Sequence, residues 1–370
     1  MKKIIISPDS FKGTLSAREA AEIIARAARD ASGEYGPVLI PIADGGEGTV
    51  DAFGALRTEC TATGPNGGKC ASFYGVIGDA AVIEMAAAAG LPMADPLDPR
   101  TTTTYGVGEL IIHALDAGLR RFIIGLGGSA TNDCGCGMAA ACGVRFYDAV
   151  GREFVPAGGT LKDVARIDMS SRDPRIAESE ITAMCDIDNP LYGERGAAYV
   201  FAPQKGADEV CVAELDAGLR HISEIIARDC GVEVADLAGA GAAGGCGAAV
   251  PAFFGGKLKR GIDVVLDVND FDKALEGAAL VVTGEGRFDS QTAGGKAISG
   301  IAARTKPRGI PLVVLCGAAE EDQNAWEMGV TAVFSIQRRA LPFKEAAPLN
   351  AEYLYRTAYN MFRLLASDKQ

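Results

Sequence analysis

Short apolar runs alternate with amphipathic segments at both ends of the chain. The run KKIIIS predicts a buried strand, and AREAAEIIARAARD after it has the spacing of an amphipathic helix, with Ser16 and Glu19 as its capping box. PVLIPI predicts a second strand, and VDAFGAL predicts a short helix. Strand, loop and helix repeated in this order are typical of a parallel sheet.

The same order recurs in the last third of the chain. Residues 279–296 predict a strand followed by a long polar loop, and residues 297–305 predict a helix. PLVVLCG and TAVFSI predict two further buried strands, and residues 351–367 predict a closing helix. Both ends of the chain therefore follow the pattern of one parallel sheet.

The middle of the chain has a different pattern. Short alternating segments around GPNGG predict antiparallel hairpins over residues 59–84, and VRFYDAVGREF predicts another hairpin. Residues 208–230 predict a long helix.

These patterns predict an α/β protein of two α/β domains. Residues 1–58 and 262–370 form a discontinuous parallel-sheet domain of the Rossmann or flavodoxin-like type, and residues 59–261 form an inserted α/β domain. Ligand sites favour domain interfaces and the carboxyl ends of parallel strands. We therefore expect the active site in the cleft between the two domains.

Composition narrows the function. The chain has 370 residues and a net charge of −12, and no Lys/Arg run exceeds two residues, which argues against nucleic acid. No apolar run approaches the ~18 residues of a membrane span. The three isoleucines near the N-terminus are too few for a signal peptide, so we expect a cytoplasmic protein with reduced cysteines. Cys134, Cys136 and Cys142 lack the ligand spacing of a structural zinc site.

Glycine is enriched, with 47 residues, and it clusters in loops that also carry charged or amide side chains and follow predicted strands. Such a mixture suits phosphoryl transfer, in which carboxylates hold Mg²⁺, Lys or Arg neutralises the phosphoryl group, and glycine amides surround the phosphates. Ordinary turns are the alternative for any one loop. Four loops are of this glycine-rich type, and a fifth, CDIDNP, has acidic and amide side chains without glycine. The candidate side chains in these five loops are those of Asp9, Lys12, Asp44, Glu47, Asn132, Asp133, Asp186, Asp188, Asn189, Glu285, Arg287, Asp289 and Lys296.

Other enzyme classes have weaker signals. The P-loop pattern is absent. GLGGSA follows the predicted strand RFIIG, and Asp148 lies about twenty residues further on, as in a dinucleotide site. GAGAAGG also fits a glycine fingerprint but follows a poor strand. An NAD-dependent hydroxyacid dehydrogenase and a small-ligand-binding module therefore remain alternatives. His113 and His221 fall inside predicted helices, so a carboxylate is the expected base.

Seven segments, in order from residue 4 to about residue 296, resemble the bacterial glycerate kinase family, the type that includes the glycerate 2-kinases. The segments are SPDSFKGTLSA, PIADGGEGTVDA, IGLGGSATND, CDIDNPLYG, FAPQKGA, GAGAAGG and VVTGEGRFDSQT. The resemblance implies an ATP- and Mg²⁺-dependent kinase that converts D-glycerate to phosphoglycerate, with 2-phosphoglycerate favoured over 3-phosphoglycerate. It implies small-molecule partners, with neither nucleic acid nor membrane, and leaves a homodimer open.

Together the resemblance and the loop chemistry assign roles to individual residues. Catalysis is assigned to Asp289 as base, Asp186 and Lys12. Glycerate binding is assigned to Arg287, which would grip the carboxylate, and to Asp9, Ser10 and Lys296. Nucleotide phosphates are assigned to Gly127, Gly128, Ser129, Asn132 and Asp133, with Asn132 or Asp133 facing the cleft. Mg²⁺ is assigned to Asp186, Asp188, Asp44 and Glu47.

Three positions depart from the family's usual pattern. Cys134 and Cys136 stand where the family mostly has glycine, although cysteine adopts positive φ less readily. Ile298 stands where the family tends to have proline.

Overall fold

A computed structural model describes residues 1–11, 13–42, 46–288, 296–319 and 323–367. The chain forms two compact units: unit 1 is Met1–Ala43 with Ile262–Gln370, and unit 2 is Asp44–Gly261. The first junction thus lies earlier than residue 58. A short helix after it belongs to unit 2, because the backbone N–H groups of Gly48 and Val50 donate to the Glu84 carboxylate at 3.2 and 2.7 Å.

The described residues form fourteen strands and fourteen α-helices. The strands are β1 (Lys2–Ile6), β2 (Tyr35–Leu39), β3 (Leu56–Thr63), β4 (Lys69–Ile77), β5 (Ala80–Glu84), β6 (Arg121–Gly125), β7 (Arg145–Tyr147), β8 (Glu153–Phe154), β9 (Arg166–Asp168), β10 (Glu180–Met184), β11 (Lys257–Lys259), β12 (Ala278–Phe288), β13 (Leu312–Ala319) and β14 (Ala332–Ser335). The helices are α1 (Ala17–Ala31), α2 (Thr49–Ala52), α3 (Ala86–Ala89), α4 (Tyr105–Asp116), α5 (Cys136–Ala141), α6 (Ala197–Phe201), α7 (Glu209–Cys230), α8 (Ala242–Phe254), α9 (Gly261–Val268), α10 (Phe271–Ala274), α11 (Lys296–Thr305), α12 (Gln323–Met328), α13 (Phe343–Ala346) and α14 (Asn350–Ser367).

Unit 1 contains a five-stranded parallel sheet in the order β14-β13-β12-β1-β2. Its core joins the strand residues Ile4 and Ile6 to Ile24 of α1 and Phe362 of α14. The predicted capping box of α1 is confirmed, since both reciprocal hydrogen bonds between Ser16 and Glu19 are present. The backbone N–H of Asp9 donates to Gly284 O at 2.8 Å, so the loop after β1 lies beside β12.

Unit 2 contains a six-stranded mixed sheet in the order β11-β10-β6-β5-β4-β3. Strands β5, β6, β10 and β11 run parallel, while β3, β4 and β5 pair antiparallel. The predicted hairpins are confirmed, including β7 with β8, where Phe146 lies opposite Phe154. Among the described helices, none has the length and apolarity that crossing a membrane requires.

The GAGAAGG segment forms a left-handed kink within α8. Ala243, Gly244 and Gly245 have φ values of 52°, 66° and 96°. A Cβ on Gly244 would lie 2.0 Å from Thr131 O, so only glycine lets this kink pack against the loop after β6. The segment follows no strand, and its glycines serve packing here, which removes the structural context of a dinucleotide fingerprint.

Candidate functional site

A cavity of about 360 Å³ in unit 2 lies beyond the carboxyl ends of β6 and β10. These strands are parallel neighbours, with Gly125 opposite Met184, so the loops that follow them meet at one edge of the sheet. Four predicted residues line this cavity, namely Gly127, Gly128, Ser129 and Asp186. The backbone N–H of Gly261 donates to Asp186 Oδ1 at 3.1 Å and so fixes that carboxylate.

Asn132 and Asp133 do not line this cavity, and both are completely buried. Neither side chain therefore reaches this cavity, in contrast to the expectation that one of them faces the cleft. Asp133 Oδ2 accepts from the backbone N–H and hydroxyl of Thr104, both at 2.8 Å, and from Gly137 N at 3.3 Å. Asp133 Oδ1 accepts from Gly135 N at 3.0 Å. The carboxylate faces inward, where three backbone N–H groups and the Thr104 hydroxyl donate to it.

Burial raises the pKa of the Asp133 carboxyl, and the four donors act in the opposite direction. Glycine is required beside it, because a Cβ on Gly137 would lie 2.8 Å from Asp133 Oδ2 and 2.3 Å from Thr103 Oγ1. Cys134, the residue directly after Asp133, has a φ of 52°, a positive value that is usually found at glycine. This part of the glycine-rich loop is therefore a structural turn around a buried carboxylate.

Two side chains beside this turn hold buried polar atoms without hydrogen-bond partners. Within the described part of the chain, the Thr131 hydroxyl and both polar atoms of the Asn132 amide have no partner. Each buried polar atom that has no hydrogen-bond partner lowers the free energy of unfolding by about 1–3 kcal/mol.

Lys205 is a site residue that the sequence reasoning did not single out. It lines the unit 2 cavity and is only 2% exposed. Its Nζ donates to Ser129 Oγ at 3.0 Å and to Thr131 O at 2.6 Å. Burial lowers the pKa of Lys205 to about 8. Its one sequence signal was its place in the segment FAPQKGA.

A second cavity, of about 770 Å³, lies in unit 1 at the carboxyl ends of β1, β12 and β13. The predicted residues Asp9, Ser10 and Arg287 all line it. The backbone N–H of Ser10 donates to Asp9 Oδ1 at 2.6 Å. Strand β12 extends through Arg287, which lies opposite Ala318 of β13, so this arginine stands on the sheet and not in the loop expected there. Glu285 adds a second carboxylate to the lining.

The remaining predicted residues either lie away from the two cavities or fall outside the described residues. Asp188 does not line the unit 2 cavity and forms an exposed ion pair with Arg195 at 3.7 Å, so it does not face the same side as Asp186. Glu47 is exposed. Lys12, Asp44 and Asp289 lie outside the described residues, as does the side chain of Lys296, which begins α11. The same helix buries Ile298 completely.

The carboxylates that line the two cavities match, in type and number, the protein ligands of a magnesium ion whose other ligands are phosphate oxygens. No cluster of three His, Cys, Asp or Glu side chains in the described ranges could hold a metal by itself. In kinases, Mg²⁺ is usually held by one or two carboxylates together with substrate phosphates. Asp186 in unit 2, or Asp9 with Glu285 in unit 1, supplies that number of carboxylates.

The residue proposed to complete a dinucleotide site lies elsewhere. The Asp148 carboxylate accepts hydrogen bonds from the backbone of Val150 and Arg152 in the turn between β7 and β8. It does not line the cavity that contains Gly127 and Gly128. This position removes the ribose-binding acid that the GLGGSA pattern required.

The chain is similar to glycerate kinases over almost its whole length. Residues 4–366 match the family described as the glycerate kinase family. The chain is 47% identical to the glycerate kinase of Bacillus cereus, with 99% of each chain covered, and 44% identical to the glycerate 2-kinase of Escherichia coli, with 90% of each covered. A crystal structure from Salmonella typhimurium LT2, provisionally assigned as glycerate kinase 2, aligns with a TM-score of 0.90 at 43% identity, covering 100% of this chain and 99% of that one.

The two buried threonines of this region provide a matched stability test. Thr131→Val removes a hydroxyl without a described partner, so we expect the free energy of unfolding to stay constant or to rise by up to about 1 kcal/mol. Thr104→Val removes a hydroxyl that bonds to both Asp133 and Met138 N, so we expect a loss of about 2 kcal/mol. Urea unfolding of both variants measures the difference. Equal losses would contradict this reading of the two hydroxyls.

Proposed function

We propose that this chain, which belongs to the glycerate kinase family, transfers a phosphoryl group from ATP to a hydroxyl group of D-glycerate. The observation that carries this proposal is the family match over residues 4–366, together with 47% identity to a curated glycerate kinase. Each unit also has a cavity at the carboxyl ends of its parallel strands, where α/β proteins bind ligands.

The nucleotide phosphates are assigned to the loop after β6. The backbone of Gly127 and Gly128 and the hydroxyl of Ser129 line a cavity there, and backbone amides with a hydroxyl suit phosphate oxygens. Asp186 on the neighbouring loop is the proposed Mg²⁺ ligand in that cavity. When bound, the ion would neutralise charge on the phosphates.

Glycerate is assigned to the cavity of unit 1. Its carboxylate requires a positive partner, and the planar guanidinium of Arg287 can form two parallel hydrogen bonds to a carboxylate. Ser10 and Asp9 supply a hydroxyl and a carboxylate for the substrate's hydroxyl groups. The attacking hydroxyl must lose a proton, and Asp289 remains the proposed base, with Lys12 and Lys296 as further proposed site residues.

Carbon 2 is the proposed phosphorylation position. Glycerate has hydroxyl groups on carbons 2 and 3, and both lie near the carboxylate that anchors the molecule. A small shift in substrate position therefore decides which hydroxyl reacts. The similarity to the glycerate 2-kinase of Escherichia coli favours carbon 2.

The reaction and its position can be tested in one assay. Purified protein with ATP, Mg²⁺ and D-glycerate should release ADP, and enolase added alone should consume the product, because enolase acts directly on 2-phosphoglycerate. A signal that needs added mutase would show phosphorylation at carbon 3. If ADP does not appear but NADH absorbance changes with hydroxyacids, the chain is a dehydrogenase. Ligand binding without either reaction would indicate a binding module.

Arg287→Lys tests the assignment of the glycerate carboxylate. Lysine keeps the positive charge but loses the bidentate geometry, so kcat/KM for glycerate should fall at least tenfold, or about 1.4 kcal/mol. Arg338→Lys is the control, because Arg338 is also exposed but does not line the cavity. Unchanged steady-state kinetics for Arg287→Lys would remove Arg287 from the substrate site.

A further inference from the structure

We propose that Lys205 binds a compact substrate oxyanion in the unit 2 cavity, with Ser129 as its partner. The inference rests on the proposed kinase function and adds a residue to that site. Lys205 lines the cavity, although only 2% of it is exposed. It is thus a buried positive charge at the edge of a space of about 360 Å³, a size that suits a phosphate or a small acid.

The hydrogen bonds of Lys205 leave donors available for a ligand. A lysine ammonium carries three N–H donors, and two of them bond to Ser129 Oγ and Thr131 O. Within the described part of the chain, no other acceptor bonds to Nζ. Ser129 accepts from Lys205, so its own O–H hydrogen can point to a second acceptor. Two donors on adjacent atoms can therefore meet one anionic oxygen.

The charge balance also favours an anion beside Lys205. Both acceptors of its Nζ are neutral, and none of the ion pairs formed by described residues includes this lysine. Burial lowers the pKa of Lys205 to about 8, although the negative charge of nearby Asp133 acts in the opposite direction. A bound oxyanion would supply a negative charge in direct contact with Nζ, where the two described acceptors are neutral.

Asp186 gives the same cavity a carboxylate, held by Gly261 N. The cavity therefore offers both signs of charge. A phosphate that arrives with a divalent cation needs both, and so does an acid that also carries hydroxyl groups.

The oxyanion has two possible sources, a phosphate of the nucleotide or the carboxylate of glycerate. Both present oxygens that accept from an ammonium and a hydroxyl. The glycine backbone beside Ser129 suits phosphate, whereas the small volume suits glycerate. Binding measurements with separate probes distinguish these sources.

The test uses Lys205→Met and Ser129→Ala, with Lys162→Met as the control because Lys162 is exposed and lies outside the cavity. Calorimetry measures the Kd values of ATP, inorganic phosphate and D-glycerate, and steady-state assays measure the KM values of both substrates. We expect Lys205→Met to weaken one class of probe at least tenfold, and Ser129→Ala to weaken the same class at least threefold. Weakened ATP and phosphate binding identifies a phosphate site, which agrees with the assignment of this loop to the nucleotide. Weakened glycerate binding identifies a carboxylate site and would move glycerate from the unit 1 cavity to this one.

The inference is overturned if folded Lys205→Met binds all three probes within twofold of the unmodified protein. If Lys205→Met does not fold, unchanged affinities in Ser129→Ala overturn it instead. Failure of the kinase proposal looks different, because the unmodified protein would then release no ADP although the binding comparison could still be made. Circular dichroism of every variant identifies those that fold.

Discussion

The buried carboxylate of Asp133 is the interaction on which the rest of unit 2 depends. Four donors converge on it, two from Thr104 at the start of α4 and two from Gly135 and Gly137 at the start of α5. An ionised carboxylate inside a protein is tolerated only when its oxygens are well bonded. Because three of these donors are backbone N–H groups, the Asp133 side chain fixes the main chain and not only other side chains.

That fixed main chain determines the neighbouring cavity. Thr131, two residues before Asp133, offers its carbonyl to Lys205, and the same carbonyl lies against the α8 kink at Gly244. Ser129 in turn meets Lys205 at the cavity wall. The positions of the lysine, the hydroxyl and the glycine backbone therefore all depend on a loop whose turn closes around one carboxylate.

The hydrophobic pattern was sufficient to predict most elements, because period-two and period-3.6 spacings translate directly into strands and helices. It failed where a polar segment continues a strand. GEGRF was expected to be loop, yet β12 runs to Phe288, which lies opposite Ala319 of β13. Pairing with a neighbouring strand, which no local pattern records, extends this strand.

The site was harder to predict than the fold, since sequence does not show which way a polar side chain faces. Asp133 and Asp186 both follow strands. Asp133 is buried and accepts hydrogen bonds from the loop around it, whereas Asp186 lines a cavity. Lys205 was missed because lysine is almost never fully buried, so its place in FAPQKGA gave no reason to expect a cavity. Tertiary packing determines both the direction in which the two aspartates face and the burial of Lys205.

The most direct measurement of the structural role of Asp133 is the stability of Asp133→Asn. The substitution keeps the shape of the side chain but turns one acceptor into an N–H₂ donor that faces N–H groups. Urea unfolding should show a loss of about 3 kcal/mol in the free energy of unfolding. A change smaller than about 0.5 kcal/mol, the range of ordinary surface substitutions, would contradict the view that this carboxylate holds the loop.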